Sequence, residues 1–404
     1  MKRILYITYD GITDPLGQSQ VLPYLQGLSA NGYDVHILSF EKKNTFLRQK
    51  DAVNAIIRES NITWHYRFFT TKPKYISKFY DLIQLKRTAR ELHRQFGFYA
   101  VHCRSYIASQ AGVLLKKEYG IKFIFDMRGF WIDERIDIGQ WEQSNFLFRL
   151  LVKNYRKKEK DFFKDADAII SLTKKAKEYM VSHAGVDENK INVIPCCVDM
   201  QLFSNINIDR ERANELSKEI CLGSEDYLIV YSGSLGALYL IDETITFFKT
   251  LKTKMPEAKL LILSKITEAQ LAPYLKKNNI PGNDVILRWS TRVDMPCYLS
   301  LSKAALCFIR PDFSKMASCP TKLAEYLAMG IPVVVNAGIG DDDEIIRSGN
   351  CGVILQSFSE NEMEKGILEM KKFVTPDQGA VECAAKYYSL DKGISKYLSV
   401  YKNI

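Results

Sequence analysis

Apolar positions along the chain fall into short runs separated by longer segments of helical spacing. Ile4–Thr8 is the first run, followed by a Gly- and Pro-bearing loop from Asp10 to Gly17. The spacing then predicts a helix over residues 18–31 that stops at Gly32, and a strand over Val35–Phe40. Ala100–Cys103, Lys122–Asp126, Ala168–Leu172 and Asn192–Pro195 continue the pattern in the first half. Leu228–Ser232, Leu260–Ser264, Val285–Leu287, Ala305–Arg310 and Val333–Asn336 continue it in the second. A strand–helix alternation of this kind implies an α/β chain with parallel sheets covered on both faces. The pattern weakens between about Pro195 and Asp209. We therefore expect two doubly wound, Rossmann-like domains, residues 1–200 and 201–386, with a last segment over 387–404. Two linking segments, near 195–209 and 386–391, would then leave a hinge. Ligands of such sheets bind beyond the carboxyl ends of the strands, so two domains of this type offer the cleft between them as the expected site.

Composition narrows the class. With 47% hydrophobic and 25% charged residues among 404, disorder and fibrous architectures are excluded. Nine cysteines without a C-x-x-C spacing point to reduced thiols and a cytoplasmic protein. No apolar run approaches the ~18 residues that span a bilayer, and the run after Lys2 and Arg3 is too short for a signal-peptide core. The net charge of +9 is carried wholly by residues 1–200, since residues 201–404 are close to neutral. Lys72, Lys74, Lys78, Lys86, Arg87, Arg90 and Arg94, with Arg156, Lys157, Lys158 and Lys160, predict a basic face suited to an anionic inner membrane surface.

Chemistry concentrates in the strand-to-helix loops. In the run Arg310 to Val335, a strand ends at Arg310 and Pro320 suits the first position of a helix. The amides of Thr321 and Lys322 would face an anion there, beside the cations of Arg310, Lys315 and Lys322. Glu325, one turn on, is placed to accept hydrogen bonds from the paired hydroxyls of a ribose. Gly233 and Gly236, directly after Leu228–Ser232, allow close approach of a ligand, as does Gly17 before the first helix. The first loop lacks G-x-G-x-x-G, so no dinucleotide fingerprint is present. In the first half, His102 and Arg104 end one strand, and Asp126, Arg128, Trp131 and Glu134 follow another. Acids, bases and an aromatic face in that mixture suit sugar hydroxyls. Asp165-Ala166-Asp167 is read as a solvated turn rather than a metal motif, Asp341–Glu344 as a helix start, and no metal-ligand cluster is evident.

These residues carry a resemblance. The run Thr321-Lys322-Leu323-Ala324-Glu325-Tyr326-Leu327-Ala328-Met329-Gly330-Ile331-Pro332-Val333-Val334 resembles a helix-to-strand signature of retaining glycosyltransferases of family 4, which have the GT-B fold. The branch is one found among bacterial surface-polysaccharide enzymes. Val193–Asp199 with Phe203 resembles that family's interdomain stretch, Gly233-Ser234-Leu235 its phosphate loop, and Asp14–Gln20 its first loop. The last segment, Tyr387 to Tyr401, resembles its terminal helix, which implies that residues 387–404 pack back on the first domain. Two positions depart from it. Ala317 stands where the first of two glutamates is usual, and Ser234 where an arginine is.

The resemblance implies a metal-independent glycosyltransferase without a cofactor. It would move a sugar, with retention, from a nucleoside diphosphate sugar to a hydroxyl of a glycan or polyprenyl-linked acceptor. Gly17, Gly233, Ser234, Gly236, Lys265, Lys315, Pro320, Thr321 and Glu325 would bind the donor, and Asp10, Gln18, His102, Trp131 and Glu134 the acceptor. Arg104, Asp126, Arg128, Arg310 and Lys322 would be catalytic. A nucleic-acid partner is not expected. A sugar-nucleotide epimerase of similar fold and a catalytically silent binding subunit are the alternatives.

Overall fold

The computed structural model describes all residues except 74, 75, 235 and 237, together with the side chain of residue 76. Lys74 of the expected basic face and Leu235 of the expected phosphate loop thus lie outside the described residues. The chain divides into two compact units, one of Met1–Pro195 with Leu390–Ile404, the other of Cys196–Ser389.

The first unit is built on seven parallel strands: β1 (Lys2–Thr8), β2 (Tyr33–Glu41), β3 (Ile62–Phe68), β4 (Ala100–Arg104), β5 (Lys122–Asp126), β6 (Ala168–Ser171) and β7 (Ile191–Val193). Their order is β3-β2-β1-β4-β5-β6-β7. The order reverses between β1 and β4, where Thr8 pairs with Arg104. That is the position at which a doubly wound sheet opens a crevice at its carboxyl edge. β3 was not expected from the sequence. Its ITWHYRF pattern is only half-buried, as befits the outermost strand.

The predicted helix over 18–31 is two helices, Pro15–Gln20 and Leu22–Ala30, with a break at Val21. Pro23 has no amide to donate to the carbonyl of Ser19, so the first helix cannot run through. The Leu390–Asn403 helix packs on Leu22–Ala30. Gly27 makes this approach possible, because a Cβ there would lie 2.5 Å from Ile394 Cδ1. Tyr24 and Tyr397 meet edge to face in the same contact.

The second unit has six parallel strands: β8 (Tyr227–Ser232), β9 (Ala258–Leu263), β10 (Val285–Arg288), β11 (Ala304–Cys307), β12 (Val333–Asn336) and β13 (Gly352–Leu355), in the order β10-β9-β8-β11-β12-β13. Along β8, Leu228 and Val230 enter one hydrophobic core and Ile229 and Tyr231 the other. Both faces are covered, which is why these strands read as continuous apolar runs rather than alternating ones. The reversal of order falls between β8 and β11, placing the loops after those strands at the unit's natural ligand edge.

Candidate functional site

At the carboxyl edge of the first unit, β4 and β5 deliver charges to one buried point. Asp126 and His102 are almost wholly buried, and Arg104 nearly so. Arg104 Nη1 lies 4.0 Å from Asp126 Oδ2 and Arg128 Nη1 lies 3.9 Å from Asp126 Oδ1. His102 Nε2 is 3.5 Å from Asp126 Oδ2, an electrostatic contact longer than an ordinary hydrogen bond. On its other side, His102 Nδ1 meets the Tyr401 hydroxyl at 2.8 Å, and the Tyr397 hydroxyl donates to Asp126 at 3.4 Å. No hydrogen bond reaches His102 Nε2, Arg104 Nη1 or Asp126 Oδ1 among the described residues. Burial holds the His102 imidazole below its usual range, keeping the ring neutral. Burial pushes Asp126 up, but Arg128, His102 and Arg104 more than offset it, so the carboxyl stays ionised below the usual range. Ser105 and Arg128, each directly beyond the point where β4 or β5 turns outward, adopt left-handed φ values of 66° and 56°. Such strain in non-glycine residues persists only where the surroundings enforce it.

The first loop is held by a residue that sequence reasoning missed. Glu41, at the end of β2, is fully buried and accepts from the Ile12 amide at 2.9 Å, from the amide and hydroxyl of Thr13, and from Ser39 Oγ at 2.6 Å. An acid closing an apolar run was the available signal. Gly17 is tight for a related reason, since a Cβ there would lie 2.4 Å from Ile12 Cα. Gln18 folds back on the loop, donating to the Thr13 carbonyl at 3.1 Å. Asp10 remains 69% exposed with its carboxylate 3.9 Å from Arg104 Nε. Trp131 opens the next helix, stacked on Tyr106 and edged by Trp141, and Glu134 lies half-buried one turn on. The Asp165–Asp167 pair is structural: Asp165 meets Lys117 at 3.1 Å, and Asp167 accepts from Lys116 at 2.5 Å and from the Phe123 amide at 2.8 Å.

In the second unit the site is sparser. Lys322, in the first turn of the Thr321–Ala328 helix, points its ammonium between two tyrosines, 4.0 Å from the ring centroids of both Tyr231 and Tyr239. Its Nζ is buried and has no hydrogen-bond partner among the described residues. Gly233, at φ 114°, borders it, and a Cβ there would lie 3.0 Å from Nζ. Burial lowers the lysine to about 8. Glu325, one turn along, is raised by burial to about 7 despite Arg292 at 3.8 Å.

The other expected residues divide around this pair. Pro320 is extended and immediately precedes the helix, whose first residue is Thr321, so the helix starts one position later than predicted. Lys315 is buried in a short 3-10 turn. Arg310, expected to add its charge, bonds Asp312 instead. Ser234 accepts from the Tyr231 hydroxyl through its carbonyl, at 2.6 Å, and Gly236 is exposed. Lys265 is drawn elsewhere, over the ring of Trp289. Ala317, which stands where the resemblance puts the first of two glutamates, is buried. Among the described residues no three acid, histidine or cysteine side chains come together as a metal would require, and no helix is long and apolar enough to cross a membrane.

Comparison with known proteins places this geometry. The Glycosyltransferase Family 4 model matches residues 19–202, and the Glycosyl transferases group 1 model matches residues 213–373. No curated protein matches the sequence. Among solved structures, the sucrose-phosphate synthase of Thermosynechococcus elongatus is similar at TM-score 0.75 and 13% identity, over 100% of this chain and 98% of that one. Anabaena HepE in complex with UDP and glucose is similar at 0.71 and 12%, over 100% of both chains. A putative UDP-N-acetylglucosamine 2-epimerase from Listeria monocytogenes is similar at 0.63 and 11%, over 100% and 96%. Residues 19–202 thus match a family 4 glycosyltransferase domain and residues 213–373 a group 1 domain, on the GT-B fold of the glycosyltransferase structures above.

Proposed function

We propose that the protein transfers a sugar, with retention of configuration, from a nucleoside diphosphate sugar to a hydroxyl of a glycan or polyprenyl-linked acceptor at an anionic membrane surface, in polysaccharide synthesis. The second unit holds the donor and the first the acceptor. The observation that carries this reading is the Lys322 ammonium, buried beside Gly233 with no hydrogen-bond partner among the described residues. A buried cation lacking an acceptor is poorly solvated, and a phosphate oxygen at that point would supply a charge-assisted bond. As the sugar–phosphate bond breaks, charge grows on the departing diphosphate, and a fixed cation there lowers the barrier. Glu325 is placed to receive ribose hydroxyls. Neither unit presents an obvious nucleophile for a double displacement, which favours same-face attack assisted by the leaving phosphate.

In the first unit, ionised Asp126 with neutral His102 would orient the acceptor hydroxyl, and Arg104 and Arg128 would fix that carboxylate. Asp10, Gln18, Trp131 and Glu134 surround the edge where a sugar ring would lie. HepE, a structural neighbour, has been solved with UDP and with UDP-glucose, which supports a uridine donor as the first trial. The test is a thermal-shift panel of UDP, GDP, ADP and CMP. The cognate diphosphate at ~100 times its dissociation constant adds ~2.7 kcal/mol. Glu325→Ala should weaken that ligand by roughly 10- to 100-fold, the effect of losing ~1.5–3 kcal/mol of charged hydrogen bonding. No shift with any nucleotide would overturn the reading. The buried Asp126–His102 pair also suits proton transfer, so an epimerase is the second reading. Conversion of the donor sugar without any acceptor would identify it.

A further inference from the structure

Two helices of the first unit expose large apolar side chains near their starts. In Phe146–Asp165, Phe146 is 61%, Leu147 70% and Leu150 48% exposed. In Ile76–Phe96, Phe79 is 65% and Ile83 49% exposed, with Tyr80 beside them. The two groups lie at one edge. In a parallel sheet each helix runs back from the carboxyl end of one strand to the start of the next, and these helices join β3 to β4 and β5 to β6. Both therefore start at the carboxyl edge that carries Arg104, Asp126 and Trp131. Both pack on the Ser105–Tyr119 helix, and the Lys158 ammonium of one, lowered first by burial, also feels the charge of Lys86 on the other, so the two flank the same helix.

The exposed charges along the starts of these two helices are positive, with exposed Glu142 just before one and buried Asp81 within the other. The basic face expected from the sequence is partly consumed by internal pairing: Arg87 bonds Glu91, Arg90 bonds Glu118, Arg156 bonds Asp133 and Glu159, and Lys158 bonds Gln110. The exposed cations are instead Lys72, Lys78, Arg149, Lys153, Lys157 and Lys160. Between residues 146 and 160 the lone acid is Glu159, which is buried. Exposed apolar residues continuous with unopposed cations are the mark of a helix lying in a bilayer interface.

We infer that the first turns of these two helices dock into an anionic bilayer, with Phe146, Leu147, Leu150, Phe79 and Ile83 among the acyl chains and the flanking cations on lipid phosphates. This deepens the membrane part of the proposed function and names the surface that performs it. A second copy of the chain is a poorer occupant. A two-fold contact would set the same patch against itself and oppose Arg149, Lys153 and Lys157 to their own copies. Docking at this edge would turn the acceptor-side cluster toward the lipid surface, where a polyprenyl-linked sugar is presented.

Co-sedimentation with phosphatidylcholine vesicles, and with vesicles half phosphatidylglycerol, tests this. The full chain should pellet with the anionic vesicles, lose that binding in high salt, and leave the zwitterionic ones largely unbound. Leu147→Glu with Leu150→Glu, and separately Lys153→Glu with Lys157→Glu, should each weaken binding by at least ~10-fold. These positions are exposed, so melting temperature and the nucleotide-induced thermal shift should stay at wild-type values, separating this result from a failure of the donor reading. Absence of anionic-vesicle binding at low salt, equal binding to both vesicles, or variants that bind like wild type would overturn the inference. A dimer in sedimentation that the leucine variants dissociate would overturn it as well, assigning the patch to self-association.

Discussion

The two edges that gather functional residues solve the same electrostatic problem in opposite ways. In the first unit, Arg104 and Arg128 surround one ionised Asp126, with neutral His102 and two tyrosine hydroxyls completing the shell. Each of these charges has an opposite charge within 4.0 Å whether or not a ligand is present, although two guanidinium groups share one carboxylate. In the second unit, Lys322 lies against the faces of Tyr231 and Tyr239, and its ammonium has no hydrogen-bond acceptor among the described residues. The first arrangement pairs its charges internally, while His102 Nε2, Arg104 Nη1 and Asp126 Oδ1 have no hydrogen bond among the described residues. The second leaves a charge incompletely solvated, so that an arriving anion completes it. On the proposed function, a site for a developing charge gains from a cation left without an acceptor, whereas a site that orients a neutral hydroxyl gains from charges paired beforehand.

The contrast can be broken most directly through stability. Asp126→Asn removes the carboxylate that Arg104 and Arg128 share, leaving Arg104 only the exposed Asp10, and should destabilise the first unit by about 3–5 kcal/mol in denaturant unfolding. Lys322→Met removes a buried charge that nothing accepts, so its unfolding should be unchanged or slightly harder. Its turnover should nonetheless fall by ~10²–10³-fold, as when a fixed charge-stabilising donor is removed. If both variants unfold alike, the two edges do not differ as described.

A pH series sharpens the same point. Burial lowers Lys322 to about 8, so the folded chain sheds this proton before the unfolded chain does. Between pH 8 and the ordinary lysine range, the unfolded state binds more protons, and this group's contribution to stability rises with pH. Glu325 acts in the opposite sense. Burial raises it to about 7, so its contribution falls as pH climbs from the ordinary carboxylate range to 7. Diphosphate binding needs the charged lysine and should weaken above pH ~8, by up to tenfold per unit, in calorimetry of the cognate nucleotide. Lys322→Arg should flatten that decline, because its guanidinium stays charged. The smallest expected effect concerns the rings. Tyr239→Leu should lower the midpoint of the pH curve by about one unit, the worth of ~1–2 kcal/mol of cation–π attraction, and Tyr239→Phe should leave it in place. A midpoint that stays or rises with leucine would show that the ring does not hold the charge.

Much of this was legible along the chain because it is local. The β8 and β12 strands are buried on both faces and appear as unbroken apolar runs, and Lys322 and Glu325 share one short helix. What stayed hidden is long-range. Tyr397 and Tyr401 reach Asp126 and His102 from a helix almost 300 positions away in sequence, and nothing near either end announces it. Glu41 looked like the polar stop of a strand, yet it shapes a loop some 28 residues earlier. β3 was obscured because an outermost strand alternates polar and apolar residues weakly. Arg310 and Lys265 share the charge of Lys322 but not its setting, since one finds Asp312 and the other Trp289.

The return of the Leu390–Asn403 helix to the first unit also sets an order in time. Gly27 waits for Ile394, and His102 for Tyr401, while the whole of Cys196–Ser389 is still to be made. At ~5–20 residues per second, roughly 10–40 s of synthesis separate the first unit's sheet from the helix that seals it. During that interval the second unit, whose chain is continuous, is free to complete itself. The unit that begins first therefore finishes last, and its apolar Leu22–Ala30 surface is what a ribosome-bound chain would leave uncovered for chaperones to meet.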